Sequence, residues 1–174
     1  MRAVLRHCRG RVLDVGCGPH DIFVRRFLGP GSVGIDVHPY PGVEHLVDDP
    51  TRLPFPDGAF DTVTLIGVGG HIRRSQRAGE FGELARVLVP GGRLVMNEGE
   101  PITQLLLHRW LRFYFGLAGQ RDLDTERGMA DDEETCMPRR ELLGYLNTPP
   151  LRLVRRERFM WGLNTVYVAE KDAS

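Results

Sequence analysis

The chain has 174 residues, a length that suits one domain of ordinary size and can bury a core without disulfides. Hydrophobic residues make up 41% and charged residues 26%, which excludes a disordered tail, and the balance of 23 basic and 23 acidic residues argues against a protein that coats nucleic acid. The sequence contains no run of 18 apolar residues and no signal-peptide core, so we expect a cytoplasmic protein with no stable membrane insertion.

Short β-branched runs alternate with helical periodicity in the first half of the chain, a pattern typical of a parallel α/β sheet. In chain order, the sequence predicts a helix over Arg2–Cys8, a buried strand over Val12–Val15, a helix over Ile22–Phe27, and strands over Val33–Val37 and Val43–Val47. Only His38 to Gly42 separate the last two strands, which leaves no room for a full crossover helix.

The second half predicts two further parallel strands and a terminal hairpin. The elements are a strand over Phe60–Ile66, a helix over Arg73–Leu88 stopped by Pro90-Gly91-Gly92, a strand over Arg93–Asn97, a helix over Pro138–Leu146, and strands over Leu151–Met160 and Leu163–Glu170. Trp161-Gly162 joins the last two strands, so we expect an antiparallel pair. Together these elements predict a seven-stranded, mostly parallel sheet covered by helices.

A glycine-rich turn follows the first predicted strand, at Asp14-Val15-Gly16-Cys17-Gly18. Glycines at such a turn let the backbone approach a ligand where a side chain would clash. A second acid, Asp36, ends the next strand, and a carboxylate there suits two hydrogen bonds to a ribose diol. Both features lie at carboxyl ends of neighbouring strands, where open α/β sheets bind ligands. The pattern therefore indicates a ligand that contains a ribose.

Four blocks in a fixed order carry a family resemblance over most of residues 11–98. They are VLDVGCGP at Val12–Pro19, Gly34-Ile35-Asp36, DPTRLPFPDGAFD at Asp49–Asp61 and ELARVLVPGGRL at Glu83–Leu94. This set resembles the class I S-adenosylmethionine-dependent methyltransferases, above all the small-molecule "type 11" branch with the ubiquinone and menaquinone C-methyltransferases. The resemblance implies one Rossmann-like domain over residues 1–174, with helices on both faces of the sheet. It also implies methyl transfer from S-adenosylmethionine to a small-molecule acceptor.

The resemblance assigns roles around the first two strands. Asp14 would offer a carboxylate to the ammonium group of the cofactor, a charge-assisted interaction. Gly16 and Gly18 would let the backbone lie against the methionine and ribose portions. Asp36 would bind both ribose hydroxyls, and Val37 would pack on one face of the adenine.

The resemblance also assigns roles further along the chain. Asp49 would accept a hydrogen bond from the adenine amine, and Pro50 would touch the ring. Ile66 and Gly67, at the end of the fourth strand, would lie beside the sulfonium.

The sequence departs from the family pattern near the expected site. Pro19-His20 replaces a small residue after the glycine turn, the crossover helix after Asp36 is nearly absent, and the shortened N-terminus lacks the helices that often roof the site. We therefore expect a lid-like insertion over residues 100–139. Its apolar side chains at near-helical spacing suit a packing helix, a lid over an apolar acceptor, or docking on a membrane surface. They are Leu105, Leu106, Trp110, Phe113, Tyr114 and Leu117.

Methyl transfer depends mainly on proximity and alignment, and a base helps when the acceptor must lose a proton. His71 follows the fourth strand near the expected sulfonium, and His108 lies in the insertion, so both are candidate catalytic bases. Each also suits a packing or surface role. The three cysteines lack zinc-site spacing, so we expect no metal.

Two alternatives to this enzyme stay open. A nicotinamide-dependent oxidoreductase shares the glycine turn and the second acid, although the third glycine of its fingerprint is absent. A noncatalytic methyltransferase-like subunit would explain the shortened N-terminus. We expect a small-molecule partner and no nucleic acid, and we leave open a homodimer that would cover the site.

Overall fold

One seven-stranded sheet organises the computed structural model, which describes residues 2–18, 22–40, 43, 45–100 and 137–173. The strands are β1 Val12–Val15, β2 Val33–Asp36, β3 His45–Leu46, β4 Phe60–Ile66, β5 Leu88–Gly99, β6 Leu151–Phe159 and β7 Asn164–Lys171. The described helices are α1 Arg2–Leu5, α2 Ile22–Phe27, α3 Arg77–Val87 and α4 Arg139–Tyr145, with 3-10 turns at Gly69–His71 and Met160–Gly162. This architecture confirms the predicted fold class.

The strand order is β3-β2-β1-β4-β5-β7-β6. Strands β1 to β5 pair in parallel, whereas β7 runs antiparallel to both β5 and β6. Parallel strands are covered on both faces, which explains why every residue of β1 is buried. The carboxyl ends of β1, β2 and β4 therefore meet at one edge of the sheet, where the predicted site residues lie.

Apolar clusters cover the two faces of the sheet. On one face, Leu13 and Leu65 belong to the same buried cluster as Phe81 and Leu84 of α3. On the other face, the cluster contains Val4 and Phe23 of the first two helices together with Val95, Val166 and Val168. Helices thus lie on both faces, as the family resemblance implies.

The helix before β5 corrects the predicted boundaries. Helix α3 begins at Arg77, four residues later than predicted, because the chain first forms the 3-10 turn and a further turn. It ends at Val87, and β5 begins at once, so Pro90-Gly91-Gly92 does not stop the helix. The pairing of β4 with β5 instead shifts register there, so these residues form an irregularity that accommodates a proline without an N–H.

Several other predicted elements are shorter in the structure, including α4, which covers Arg139–Tyr145, and β6, which ends at Phe159. Helix α1 ends at Leu5 rather than Cys8, β2 ends at Asp36, and β3 contains two residues instead of five. Residues 37 and 38 form a bend, and residues 39 and 40 have no regular secondary structure, so the described part of this segment contains no helix, in agreement with the predicted loss of the crossover helix.

Three predictions fall wholly or mainly on residues outside the described ranges. The apolar stretch from Leu105 to Leu117 lies there, as does His108, and so does most of the lid-like insertion. Among the described helices, none is long and apolar enough to cross a membrane.

Candidate functional site

A cleft of about 780 Å³ opens at the carboxyl ends of β1, β2 and β4. Its volume is in the range of pockets that hold small molecules and cofactors. Seven of the nine predicted cofactor-binding residues line it, namely Gly16, Gly18, Asp36, Val37, Pro50, Ile66 and Gly67. The candidate base His71 lines the same cleft. The structure thus brings together residues that are 55 positions apart in the sequence.

Asp36 is held by backbone amides of the two segments beside it. Its Oδ2 accepts a hydrogen bond from the N–H of Gly18 at 2.9 Å, and its Oδ1 accepts one from the N–H of His38 at 2.9 Å. The residue is buried, with only 7% of its surface exposed, yet it lines the cleft. A carboxylate has about four lone-pair sites, so two remain for the hydroxyls of a ribose.

The glycine turn is fixed against β2. The N–H groups of Gly16 and Cys17 both donate to the carbonyl of Ile35, at 2.9 and 3.0 Å. Gly16 and Gly18 adopt φ values of +71° and +69°, in the left-handed region that favours glycine. A Cβ on Gly16 would also overlap the side chain of Val68. The turn therefore requires a residue without a side chain at position 16.

Asp14 lies beneath the turn and is not among the residues that line the cleft. Its side chain is buried, and its Oδ1 accepts a hydrogen bond of 2.6 Å from the Thr64 hydroxyl on β4. Through this bond Asp14 joins β1 to β4 directly below the cleft. Its contact with the cofactor ammonium stays a prediction.

At the end of the cleft expected to hold the adenine, Asp48 and Pro50 line the space and Asp49 does not. The carboxylate of Asp49 instead accepts hydrogen bonds from the N–H and the hydroxyl of Thr51, at 2.9 and 2.6 Å. These bonds hold the pKa of Asp49 below its ordinary value. In this conformation Asp48, rather than Asp49, is the acid that borders the cleft.

Glu80 is a cleft residue that the sequence analysis missed. It lies on α3 with only 3% of its surface exposed, and burial together with the nearby Asp49 raises its pKa to about 7. A sequence signal existed, because positions 77, 80, 81 and 84 follow the spacing of one buried helical face. Five other polar lining residues, also not identified as site residues from sequence, are His38, Tyr40, Asp48, Arg73 and Gln76.

The segment that carries His71 is supported from below by two buried charged groups. Glu98 on β5 accepts a hydrogen bond from the N–H of Gly69 at 2.9 Å, and burial raises the pKa of Glu98 to about 7. The fully buried Arg77 donates to the carbonyl of Ile72 at 3.1 Å and pairs with Glu141 at 2.9 Å. These contacts fix both ends of the 3-10 turn, so the backbone at His71 is well defined.

The lining fits the expected cofactor. Three acids, Asp36, Asp48 and Glu80, and one arginine, Arg73, line the cleft together with apolar residues, which suits a ligand that carries positive charge and a flat ring. The left-handed Gly18 exposes backbone next to the Asp36 carboxylate, for which the sequence predicts ribose binding. Among the residues that the structure describes, no group of His, Cys, Asp or Glu could hold a metal ion.

Comparisons with known proteins agree with this geometry. A family profile described as "Methyltransferase domain" matches residues 13–96. The demethylmenaquinone methyltransferase of Thermus thermophilus is 30% identical over a match that covers 92% of this chain and 82% of that protein. The ubiquinone/menaquinone biosynthesis C-methyltransferase of Geobacter sulfurreducens is 35% identical, and the match covers 61% of this chain and 48% of that protein.

A solved structure shows the same fold. The S-adenosylmethionine-dependent methyltransferase of Methanosarcina mazei superposes with a TM-score of 0.63. The match covers 100% of this chain and 99% of that protein, at 19% identity.

Proposed function

Because the chain belongs to the methyltransferase domain family, as an S-adenosylmethionine-dependent methyltransferase with a small-molecule acceptor, we propose that it methylates a ring carbon of a hydroquinone-type acceptor. Family membership favours this reaction over the nicotinamide-dependent oxidation and the noncatalytic role that the sequence left open. The names of the two relatives, which refer to menaquinone and ubiquinone, support the acceptor class.

The continuous cleft from Asp36 to His71 carries this proposal. S-Adenosylmethionine, when bound, supplies a methyl group attached to a good leaving group. The chain's own task is therefore to hold the two reactants in line. Asp36 would fix the ribose, and Gly67 at the end of β4 would leave room beside the sulfonium. The acceptor would then lie beyond Gly67, toward Val68 and His71.

His71 is the base that we propose for this reaction. A hydroquinone ring carbon becomes more nucleophilic when a ring hydroxyl loses its proton, so a base near that hydroxyl raises the rate. His71 follows β4 by five residues, and the apolar Val68 and Ile72 line the cleft on either side of it. His38 also lines the cleft, but its backbone N–H donates to Asp36, which places His38 at the expected ribose end rather than beside Gly67.

A methyl-transfer assay tests both the acceptor and the base. The purified protein is incubated with radiolabelled S-adenosylmethionine and a chemically reduced, short-tailed hydroquinone that lacks one ring methyl. We expect a C-methylated product, and we expect His71→Gln to lower kcat by about 10² to 10⁴. S-Adenosylhomocysteine affinity should change little in this variant. The matched control is His45→Gln, because His45 is exposed on β3 and does not line the cleft.

Two results would contradict the proposal. Full activity of His71→Gln would remove the base assignment. Transfer of label to a tRNA transcript but not to the hydroquinone would remove the acceptor class.

We also propose a cytoplasmic location and leave the homodimer as a prediction. Cys8 is a free thiol, which is usual in a reducing compartment. Sedimentation of the purified protein at several concentrations would test the dimer.

A further inference from the structure

The hairpin that joins β6 to β7 ends in a group of exposed apolar side chains, here called the hairpin tip (residues 160–163). The Trp161 side chain is fully exposed, and Met160 and Leu163 are 62% and 40% exposed. Tryptophan is usually well buried in soluble proteins. Neighbouring exposed apolar side chains of this size commonly mark an interaction surface.

The backbone holds these side chains outward. Met160 and Trp161 adopt φ values of +50° and +56°, in the left-handed region that bulky residues rarely enter. The turn is closed by a hydrogen bond of 3.1 Å from the N–H of Leu163 to the carbonyl of Met160. Strained backbone of this kind persists only where the surrounding structure enforces it, and it often has a functional reason.

The strand that leads into the tip is rich in positive charge. Strand β6 contains four arginines and one acid, Glu157. The side chains of Arg155 and Arg158 are 60% and 58% exposed, although Arg155 also pairs with Glu157 and Arg158 with Glu100. An apolar tip with a tryptophan, flanked by exposed arginines, matches the chemistry of an anionic lipid surface.

The tip lies at the same edge of the sheet as the cofactor cleft. Gly99, at the carboxyl end of β5, pairs with Asn164 at the start of β7. The N–H of Glu100 donates to the carbonyl of Leu163 at 2.9 Å, so the tip is tied directly to the end of β5. A surface that contacts the tip would therefore face the edge at which the acceptor enters.

We propose that the hairpin tip docks the protein peripherally on an anionic lipid surface, with Trp161 in the interfacial region and the β6 arginines at the lipid headgroups. Docking itself does not depend on the identity of the acceptor. Its benefit for catalysis rests on the proposed function, because a lipophilic hydroquinone would reach the cleft directly from the bilayer.

Vesicle binding tests the proposal. The chain contains two tryptophans, Trp110 and Trp161, so a Trp110→Phe background makes Trp161 the reporter. Vesicles of phosphatidylcholine with about one third phosphatidylglycerol should shift its emission to the blue, an effect that weakens with added salt. Vesicles of phosphatidylcholine alone should give a much smaller shift.

Flotation of the wild-type chain with the same vesicles provides a second measurement that needs no background mutation. We expect Trp161→Ser to lower the bound fraction at least tenfold and Arg158→Gln to reduce the preference for anionic lipid. The matched control is Phe27→Ser, which removes another exposed aromatic residue that lies on α2, away from the tip.

Three outcomes would overturn the proposal. Failure of the wild-type protein to float with anionic vesicles would overturn the docking itself. A concentration-dependent dimer abolished by Trp161→Ser would identify a second copy as the occupant of the tip. Binding to RNA that depends on Arg158 and excludes vesicles would identify nucleic acid. Methylation of a water-soluble hydroquinone, measured without lipid, tests the proposed function separately.

Discussion

Glu80 gives the sharpest test of the electrostatics in the cleft. Its carboxyl group is buried on α3 near Asp49, and its pKa rises from an ordinary 4.5 to about 7. The folded state therefore prefers the protonated carboxyl more than the unfolded state does. The stability associated with this preference is complete below about pH 4.5 and is lost as the pH rises through about 7.

The Glu80→Gln variant removes this titration and keeps the shape of the side chain. A pKa difference of about 2.5 units corresponds to roughly 3 kcal/mol in the free energy of unfolding. Between pH 4 and pH 8, we expect the free energy of unfolding of Glu80→Gln to rise relative to that of the wild type by roughly 3 kcal/mol. Urea unfolding followed by circular dichroism at four pH values measures it, since both proteins carry the same remaining titrations.

Glu83 on the same helix provides a control with the opposite sign. Its carboxylate binds Arg86 at 2.8 Å and accepts a hydrogen bond from the N–H of Leu53 at 2.9 Å, and these contacts lower its pKa. The stabilisation that ionised Glu83 gives to the folded state is present above the unfolded pKa of this group and is lost as the pH falls. The Glu83→Gln substitution should therefore lower the free energy of unfolding most near neutral pH. If the wild type and Glu80→Gln show parallel pH profiles, the burial argument for Glu80 is wrong.

Four other predictions concern single residues. Asp36→Ala should weaken S-adenosylhomocysteine binding by about 1–3 kcal/mol in calorimetry, because a charged acceptor is lost; unchanged affinity would remove its ribose role. Gly69→Ala should destabilise the fold by about 1–3 kcal/mol in urea, because a Cβ there would overlap the carboxylate of Glu98 and break its bond to the Gly69 N–H. Gly82→Ala, at an exposed helical site with open space, should instead stabilise by about 0.5–1 kcal/mol. Burial raises the pKa of the Cys8 thiol to about 12, so Cys8 should react with a thiol reagent at pH 8 far more slowly than an exposed thiol. Rapid labelling of Cys8 in a Cys17→Ser, Cys136→Ser background would contradict this.

Local sequence patterns predict the architecture and identify seven of the residues that line the cleft. Short, mostly apolar runs such as Val12–Val15 indicate parallel strands because both faces of a parallel sheet are covered. Parallel strands all place their carboxyl ends at one edge, so Gly16 and Asp36 could be assigned to the same site without a structure. The glycines that follow β1 and the acid at the end of β2 depend on the local backbone and on their position in the strand, and both can be recognised in the sequence.

Tertiary structure alone decided the features that depend on distant partners. Asp49 and Asp48 are equivalent acids in the sequence, and only the turn with Thr51 directs the first away while Asp48 borders the cleft. The pKa of Glu80 depends on how deeply α3 packs, which no local pattern specifies. The exposure of Trp161 likewise follows from the strand pairing that carries the hairpin tip beyond the sheet, because burial is a property of the assembled fold and not of the residue.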